Sequence, residues 1–201
     1  IRLSNYGGAI KEVALRKFAE TLDSTPRFVL NSEHIDQMLG IIGLPGLGQE
    51  TAYSIVSQSS REVVYRAVFE NRIEVTRRYA LADPSRSDTD PYQIRHETTF
   101  RNLTDQTLPL PKISLSLGTV SPINDTIYGQ QHNSGYFDGE DAHFIEYTDL
   151  KGGGIMSFVG IGSREPVPVL TKTSSINWAT LSNQFFTSVL TPDQPGTALI
   201  T

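Results

Sequence analysis

Strict alternation of apolar and polar side chains constrains this chain more than any other feature. Between Pro91 and Leu103, Tyr92, Ile94, His96, Thr98 and Phe100 fall on one side, and Gln93, Arg95, Glu97, Thr99 and Arg101 on the other. Successive residues of a strand point to opposite faces, so a run of this length is a strand with one face buried and one wet. Arg72 to Leu81 repeats the pattern, with Ile73, Val75, Arg77, Tyr79 and Leu81 sharing a face. Glu62 to Phe69 does the same with Val63, Tyr65, Ala67 and Phe69. Thr51–Ser57, Ile113–Leu117 and, less cleanly, Ile155–Ile161 are shorter instances. Half-buried strands of this kind belong to antiparallel sheets.

Turn chemistry separates the runs: Asp83-Pro84 through Asp90-Pro91, Asn102 to Thr107, Pro109 with Pro111, Gly135 to Asp141, and Lys151-Gly-Gly-Gly154. The chain has 201 residues, enough for one sizeable core. No repeat, low-complexity tract or dividing linker interrupts it, so one domain over 1–201 is expected. About a dozen short strands in one piece imply an all-β sandwich with few short helices.

One segment reads differently. Ile10, Val13, Ala14, Phe18 and Leu22 recur at helical spacing, and Lys11 to Leu22 consists largely of good helix formers. The local pattern favours an amphipathic helix over a strand with Val13 and Leu15 on one face.

Composition narrows the function classes. With 17 basic and 22 acidic residues the net charge is −5, which disfavours a nucleic-acid binder, because such proteins cluster Lys and Arg against phosphate. Only 19% of residues are charged while Ser and Thr number 38, so hydroxyls supply much of the polar surface. Zero cysteines exclude a disulfide scaffold and any thiolate chemistry. The most apolar run, Met38 to Leu47, is broken by Gly40, Gly43, Pro45 and Gly46 and is too short to cross a membrane. The strand-like opening at Ile1, and the strand just begun after Pro195-Gly196, suggest a piece cut at both ends from a longer protein.

Candidate chemistry is sparse. His34, His96, His132 and His143 lack metal-ligand spacing. His96 lies on the apolar face of its strand, where a hydrogen-bonded structural histidine is expected. The acidic turn Asp138-Gly-Glu-Asp141 lacks the ligand order of a calcium loop and reads as solvated. Gly43-Leu-Pro-Gly46-Leu-Gly48 lacks the Lys-Ser/Thr of a phosphate loop and reads as a flexible excursion. No nucleophile elbow is present. Asn102-Leu-Thr104 and Asn124-Asp-Thr126 are formal glycosylation sequons. No catalytic residue, metal or cofactor is expected from these patterns.

Two separated stretches carry a family resemblance. Asn5-Tyr-Gly-Gly-Ala-Ile-Lys-Glu-Val-Ala-Leu15 is similar to the opening of the periplasmic domain of bacterial YidC membrane protein insertases, where a Gly-Gly turn leads into a strand. Asn177-Trp-Ala-Thr-Leu-Ser-Asn-Gln-Phe-Phe186, followed by Thr191-Pro192, resembles that domain's closing signature. Phe185 stands where Tyr is usual, and Leu190 where many members carry Trp. Arg27–Leu30, residues 40–48 and Arg77–Leu103 fall in the family's order and spacing.

The resemblance implies a β-supersandwich, two large antiparallel sheets with a shape like that of the galactose mutarotases, and a strand in place of the helix at 11–22. It implies Gly7, Gly8, Trp178, Gln184, Phe185, Phe186 and Pro192 as a structural signature. Gly7 and Gly8 would provide positive φ, and Trp178, Phe185 and Phe186 would be core or cleft-wall aromatics. A bulge or single helical turn would fall within Gln184–Phe186. It further implies a site on the periplasmic side of the bacterial inner membrane, in a multi-pass protein whose spans lie outside this fragment. Function would be accessory and non-enzymatic, with Sec translocon components and nascent membrane proteins as partners. The competing expectation is a secreted carbohydrate-binding or sugar-epimerase-like sandwich, pairing His96 with Glu140 or Glu146.

Overall fold

The structure is a computed structural model, described here for residues 1–20, 25–83, 90–121, 131–152 and 165–201. Leu22, residues 84–89 of the Asp83–Pro91 turn, the Asn124 sequon and the Ile155–Ile161 alternation lie outside the described residues. Fifteen strands and one short helix are seen among the described residues. Every strand pairing with a defined register is antiparallel, so the chain is all-β. It divides into two compact units, Ile1–Ala14 with His34–Gly118, and Leu15–Glu33 with Thr119–Thr201.

The first unit is built on a four-stranded meander, β5 (Ser54–Gln58), β6 (Glu62–Phe69), β7 (Ile73–Leu81) and β8 (Ile94–Asn102), hydrogen-bonded in chain order. Its register sets Tyr65 against Arg77, Ala67 against Val75, and Tyr79 against His96. The alternation seen in the sequence is thereby stacked across three strands. Val63, Tyr65, Val75 and Tyr79 are buried, joined by Ile10, Tyr53 and three residues of the glycine-rich stretch, Ile41, Leu44 and Leu47. Each such side chain removed from water contributes about 1.5–3 kcal/mol.

That stretch is not the flexible excursion its composition suggested. Gly43 and Gly46 adopt φ of 87° and 73°, turning the chain so that Leu44 and Leu47 enter the core. Thr51 Oγ1 donates to the Gly46 carbonyl at 2.9 Å and closes the loop. A two-stranded ladder, β4 (Ile41–Ile42) with β9 (Ser114–Leu115), ties it to the segment where a longer alternating run was expected.

The helical pattern at 11–22 is overturned. Residues Ala9–Ala19 form strand β2, which lies between β1 (Arg2–Ser4) and β3 (Arg27–Leu30). Ile10 and Met38 exchange both backbone hydrogen bonds, at 3.1 and 2.9 Å, and Glu12 takes an ion pair from Arg2 at 3.2 Å and a hydrogen bond from His34 Nε2 at 2.6 Å. Helix propensity is worth tenths of a kcal/mol per residue, and partners on both sides outweigh it. The chain passes from the first unit into the second along this strand.

In the second unit β11 (Ala142–Glu146), β10 (Asn133–Phe137), β13 (Trp178–Ser182) and β14 (Thr187–Leu190) form one sheet in that spatial order. A separate ladder joins β12 (Thr171–Ile176) to β15 (Gly196–Ile200). The helix, α1 (Tyr147–Lys151), follows β11 directly; Asp149 accepts from the Glu146 amide at 3.2 Å at its start.

The Gly-Gly turn connects β1 to β2 as expected. Gly7 and Gly8 have φ of 70° and 54° and are both buried. A Cβ on Gly8 would lie 3.0 Å from the Tyr53 ring and 3.3 Å from Tyr65 Cβ. Gly8→Ala combines left-handed strain with this crowding and is expected to cost about 1–3 kcal/mol. Urea denaturation measures it; a loss within error of zero would show that the turn is not held by its neighbours.

Candidate functional site

The densest polar constellation in the first unit grows from one anomaly of the β7 alternation. Arg77 occupies the apolar face between Val75 and Tyr79 and is 0% exposed. No carboxylate is among its hydrogen-bond partners. Its Nη1 donates to the Gly7 carbonyl at 2.7 Å, and its Nη2 to the Leu39 carbonyl and to His96 Nε2, the latter at 3.2 Å. The guanidinium carbon lies 5.7 Å from the centre of the Tyr79 ring, within cation–π range. Tyr79 Oη donates to the Gly8 carbonyl at 2.8 Å, and Tyr53 Oη to the Leu47 carbonyl at 3.1 Å.

Three of these acceptors share one origin. Gly7, Gly8 and Leu39 all have positive φ, the last at 61°. Their carbonyls accept from side chains on β7, and a buried carbonyl without a donor would cost about 1–3 kcal/mol. Arg77 and Tyr79 are therefore the donors that allow two tight turns to be buried. Burial pushes the Arg77 guanidinium below its ordinary pKa and both tyrosine phenols above theirs, Arg77 partly opposing the latter.

His96 completes the cluster. Its ring stacks on Tyr79 with centroids 4.4 Å apart. Nδ1 donates to the Arg78 carbonyl at 3.1 Å, while Nε2 accepts from Arg77 and from Thr98 Oγ1, the latter at 2.8 Å. This pattern fixes the neutral tautomer, since a second ring proton would face the guanidinium. Burial, then the Arg77 charge, lower the His96 pKa to about 4. Both nitrogens are occupied, so His96 is a positioned structural histidine, as its place on the apolar face suggested. Glu140 and Glu146, its proposed partners in an epimerase-like site, belong to the second unit. Glu146 instead accepts from Thr148 at the start of α1 at 3.1 Å.

The closing signature lies in the second unit. Trp178 is half-buried at the start of β13 and stacks on Phe137, its neighbour on β10, at 5.9 Å and 12°. Gln184, Phe185 and Phe186 form neither a bulge nor a helical turn. They belong to the hairpin between β13 and β14, in which Asn183 Oδ1 accepts from the amides of Phe185 and Phe186 at 3.1 and 2.9 Å. This side-chain turn releases adjacent residues from strand alternation. Phe186 therefore turns inward, stacking on Phe28 at 3.8 Å and meeting Phe18 edge-on at 5.7 Å. Phe185 points outward, 68% exposed, and Gln184 is exposed as well. Phe185 is thus not a core aromatic. Pro192, half-buried, follows the end of β14, where its missing N–H cannot extend the ladder.

The acidic turn is a self-contained loop. Asp138 accepts from the Asp141 and Glu140 amides at 2.8 and 2.9 Å and from His143 Nε2 at 2.7 Å; these bonds lower its pKa to about 2. The Asn102 sequon is likewise folded into a turn, its Oδ1 accepting from the Thr104 amide at 2.9 Å. Among the described residues no group of His, Asp and Glu converges with metal-ligand geometry.

Residues 1–200 match the family described as the YidC periplasmic domain. The chain belongs to the YidC periplasmic domain family. The Gly-Gly turn and the Trp178–Pro192 block thus stand near the two ends of the matched residues, 1–200. No curated protein matches the chain. No helix among the described residues is long and apolar enough to cross a membrane. The Arg77 cluster was missed in sequence, although a lone arginine among Ile73, Val75 and Tyr79 was its visible signal.

Two outcomes follow from this geometry. Arg77→Met keeps the volume but orphans the Gly7 and Leu39 carbonyls, and should lower unfolding free energy by roughly 2–5 kcal/mol. A loss below about 1 kcal/mol in chemical denaturation would contradict its role as their donor. For His96, the unfolded chain takes up a proton near its ordinary value of 6.5 and the folded one only near 4. Its contribution is full above that range and is lost as pH falls through it, by up to about 3 kcal/mol. Stability measured from pH 7.5 down to 4 should fall less steeply in His96→Gln than in the wild type; parallel curves would refute the linkage.

Proposed function

We propose that this chain is the accessory periplasmic domain of an inner-membrane insertase, one that helps membrane proteins insert and fold, with or without the Sec translocon. The family correspondence over residues 1–200 carries the reading. In such a machine insertion is a physical process: a polar groove among membrane helices lowers the cost of carrying hydrophilic segments through hydrocarbon. No helix among the described residues could supply a span to that groove. The domain's part is contact with the translocon or with emerging client segments, and it performs no covalent chemistry.

The Arg77 cluster supports this assignment in a negative sense. His96, the histidine that a sugar-epimerase reading requires, is committed to Arg77, Thr98 and the Arg78 carbonyl. Its low pKa leaves it a poor base at neutral pH.

A full-length insertase in which this domain is replaced by a flexible linker tests the proposal. Protease protection of a reporter membrane protein should show reduced but persistent insertion, with cross-links to translocon subunits weakened. Unchanged insertion together with unchanged cross-links would remove the accessory role.

A further inference from the structure

The first unit carries two strand edges that begin to pair and then stop. Gly7 N donates to Thr51 O and Tyr53 N to Asn5 O, both at 2.7 Å, around the antiparallel bridge Tyr6↔Ala52. Continued in that register, Leu3 would face Ile55 and Ile1 would face Ser57. Among the described residues no such pairs form: there β1 bonds only β2, and β5 bonds only β6, each lying at the edge of its sheet. A cavity of about 300 Å³ opens beside β1 and the turn that joins β5 to β6. Ile1 and Leu3 line it beside β1, Gln58 and Ser59 at the end of β5, and Ile10, Val63, Tyr79 and Ile94 supply further apolar lining.

The open edge of β5 carries no charge, and the cavity beside it is lined by one residue of each sign, Arg61 and Glu62. No charged residue occurs from Thr51 to Ser60, and Ile55 and Val56 on β5 are 52% and 59% exposed. The nearby charges are already matched: Arg2 with Glu12 and Arg61 with Asp83, each at 3.2 Å, and Glu62 with Arg78. The opposite edge of the same sheet is guarded. There Arg95, Glu97 and Arg101 alternate along β8, the pattern that discourages strand addition.

We propose that the wedge between β1 and β5 is a docking site for an extended, uncharged segment of another polypeptide. The guest adds as a strand to the open edge of β5 and places an apolar side chain in the cavity. Backbone hydrogen bonds to β5 give affinity without sequence, and the cavity selects apolar side chains, as in strand-addition modules. A charged guest would find Arg61 and Glu62 already paired with Asp83 and Arg78, whereas a strand of Val, Ile, Thr and Ser brings no charge to be desolvated. The inference deepens the client-contact reading above and rests on it for the source of the guest strand.

The test is fluorescence anisotropy of this chain with a labelled, capped peptide of alternating Thr and Val, about eight residues long. Saturable binding is expected. It should weaken by about tenfold or more with an analogue N-methylated at alternate amides, with Val56→Lys, and with the cavity-filling Ser59→Trp. Val56 is exposed, so circular dichroism of its variant should be unchanged. Equal binding of the methylated peptide, or full affinity in both variants, would overturn the proposal. A self-association that Val56→Lys disperses would assign the edge to a second copy and overturn it too. So would loss of binding in a longer chain carrying residues ahead of Ile1, which would give the wedge to that upstream segment. Absence of peptide binding with normal translocon cross-links in the insertase would sink the docking site alone. Peptide binding by a domain whose removal leaves insertion and cross-links unchanged would sink the accessory role alone.

Discussion

A single buried guanidinium is the interaction on which the first unit depends. Arg77 reaches the carbonyls of Gly7 and Leu39, which lie 70 and 38 residues away in sequence, and the ring of His96 on the next strand. Burying a charge without an opposite charge costs several kcal/mol. Here the compensation comes from carbonyl dipoles, the imidazole lone pair and the Tyr79 ring, which are stronger partners for an ion than for a neutral donor. An apolar residue at this position would avoid the desolvation cost but leave two positive-φ turns with orphaned carbonyls. The charge is therefore tied to the turns, and the turns to the glycines. Gly7 and Gly8 are needed for their backbone shape, and Arg77 and Tyr79 for satisfying what that shape exposes.

The outer face of the same sheet handles charge differently. Glu74 on β7 takes Arg66 from β6 at 2.6 Å and Arg101 from β8 at 4.0 Å. Arg78 takes Glu62 from β6, its Nε at 2.8 Å, and Glu97 from β8 at 3.9 Å. Exposed pairs of this type contribute little stability each, roughly 0–1 kcal/mol. Their effect is on specificity: each side chain has its partner one strand away, so the ladder favours one register and disfavours a slip. A chain with few charges thus places several of them where they fix strand order, and leaves β5 bare.

The legibility of the fold in the sequence follows from this physics. β6, β7 and β8 could be read residue by residue, because one face is buried and the other wet and the period of two survives intact. β2 could not, because Lys11–Ala19 has a helical spacing and helix-forming side chains; its conformation is decided by Met38, β1 and β3, which local pattern does not include. The glycine-rich loop was misread for the opposite reason. Its composition signals freedom, yet Leu44 and Leu47 anchor it, and burial of two leucines is a tertiary fact. The signature residues divide in the same way. Gly7 and Gly8 sit where turn chemistry requires them, while the outward Phe185 depends on the Asn183 side-chain turn, whose hydrogen bonds leave no mark on hydrophobic pattern.

The cluster at Arg77 was the least legible part, and the reason bears on function. Sequence can flag a polar residue on an apolar face, but the meaning of that residue depends on which groups it meets. An arginine and a histidine opening into a cleft would suggest catalysis. The same two residues, with both Nη atoms of Arg77 and both ring nitrogens of His96 matched to backbone carbonyls or neighbouring side chains, form a clasp that holds turns against a sheet. Saturation separates the two cases: a catalytic base needs a free lone pair near the operating pH, and His96 has neither. Besides the buried Gln37 Oε1 and Arg77 Nε, which have no hydrogen-bond partner among the described residues, the open groups of this unit include the backbone edges of β1 and β5, and such edges pair with another backbone. Open main-chain edges of this kind are the groups that the proposed contact with client polypeptide would use.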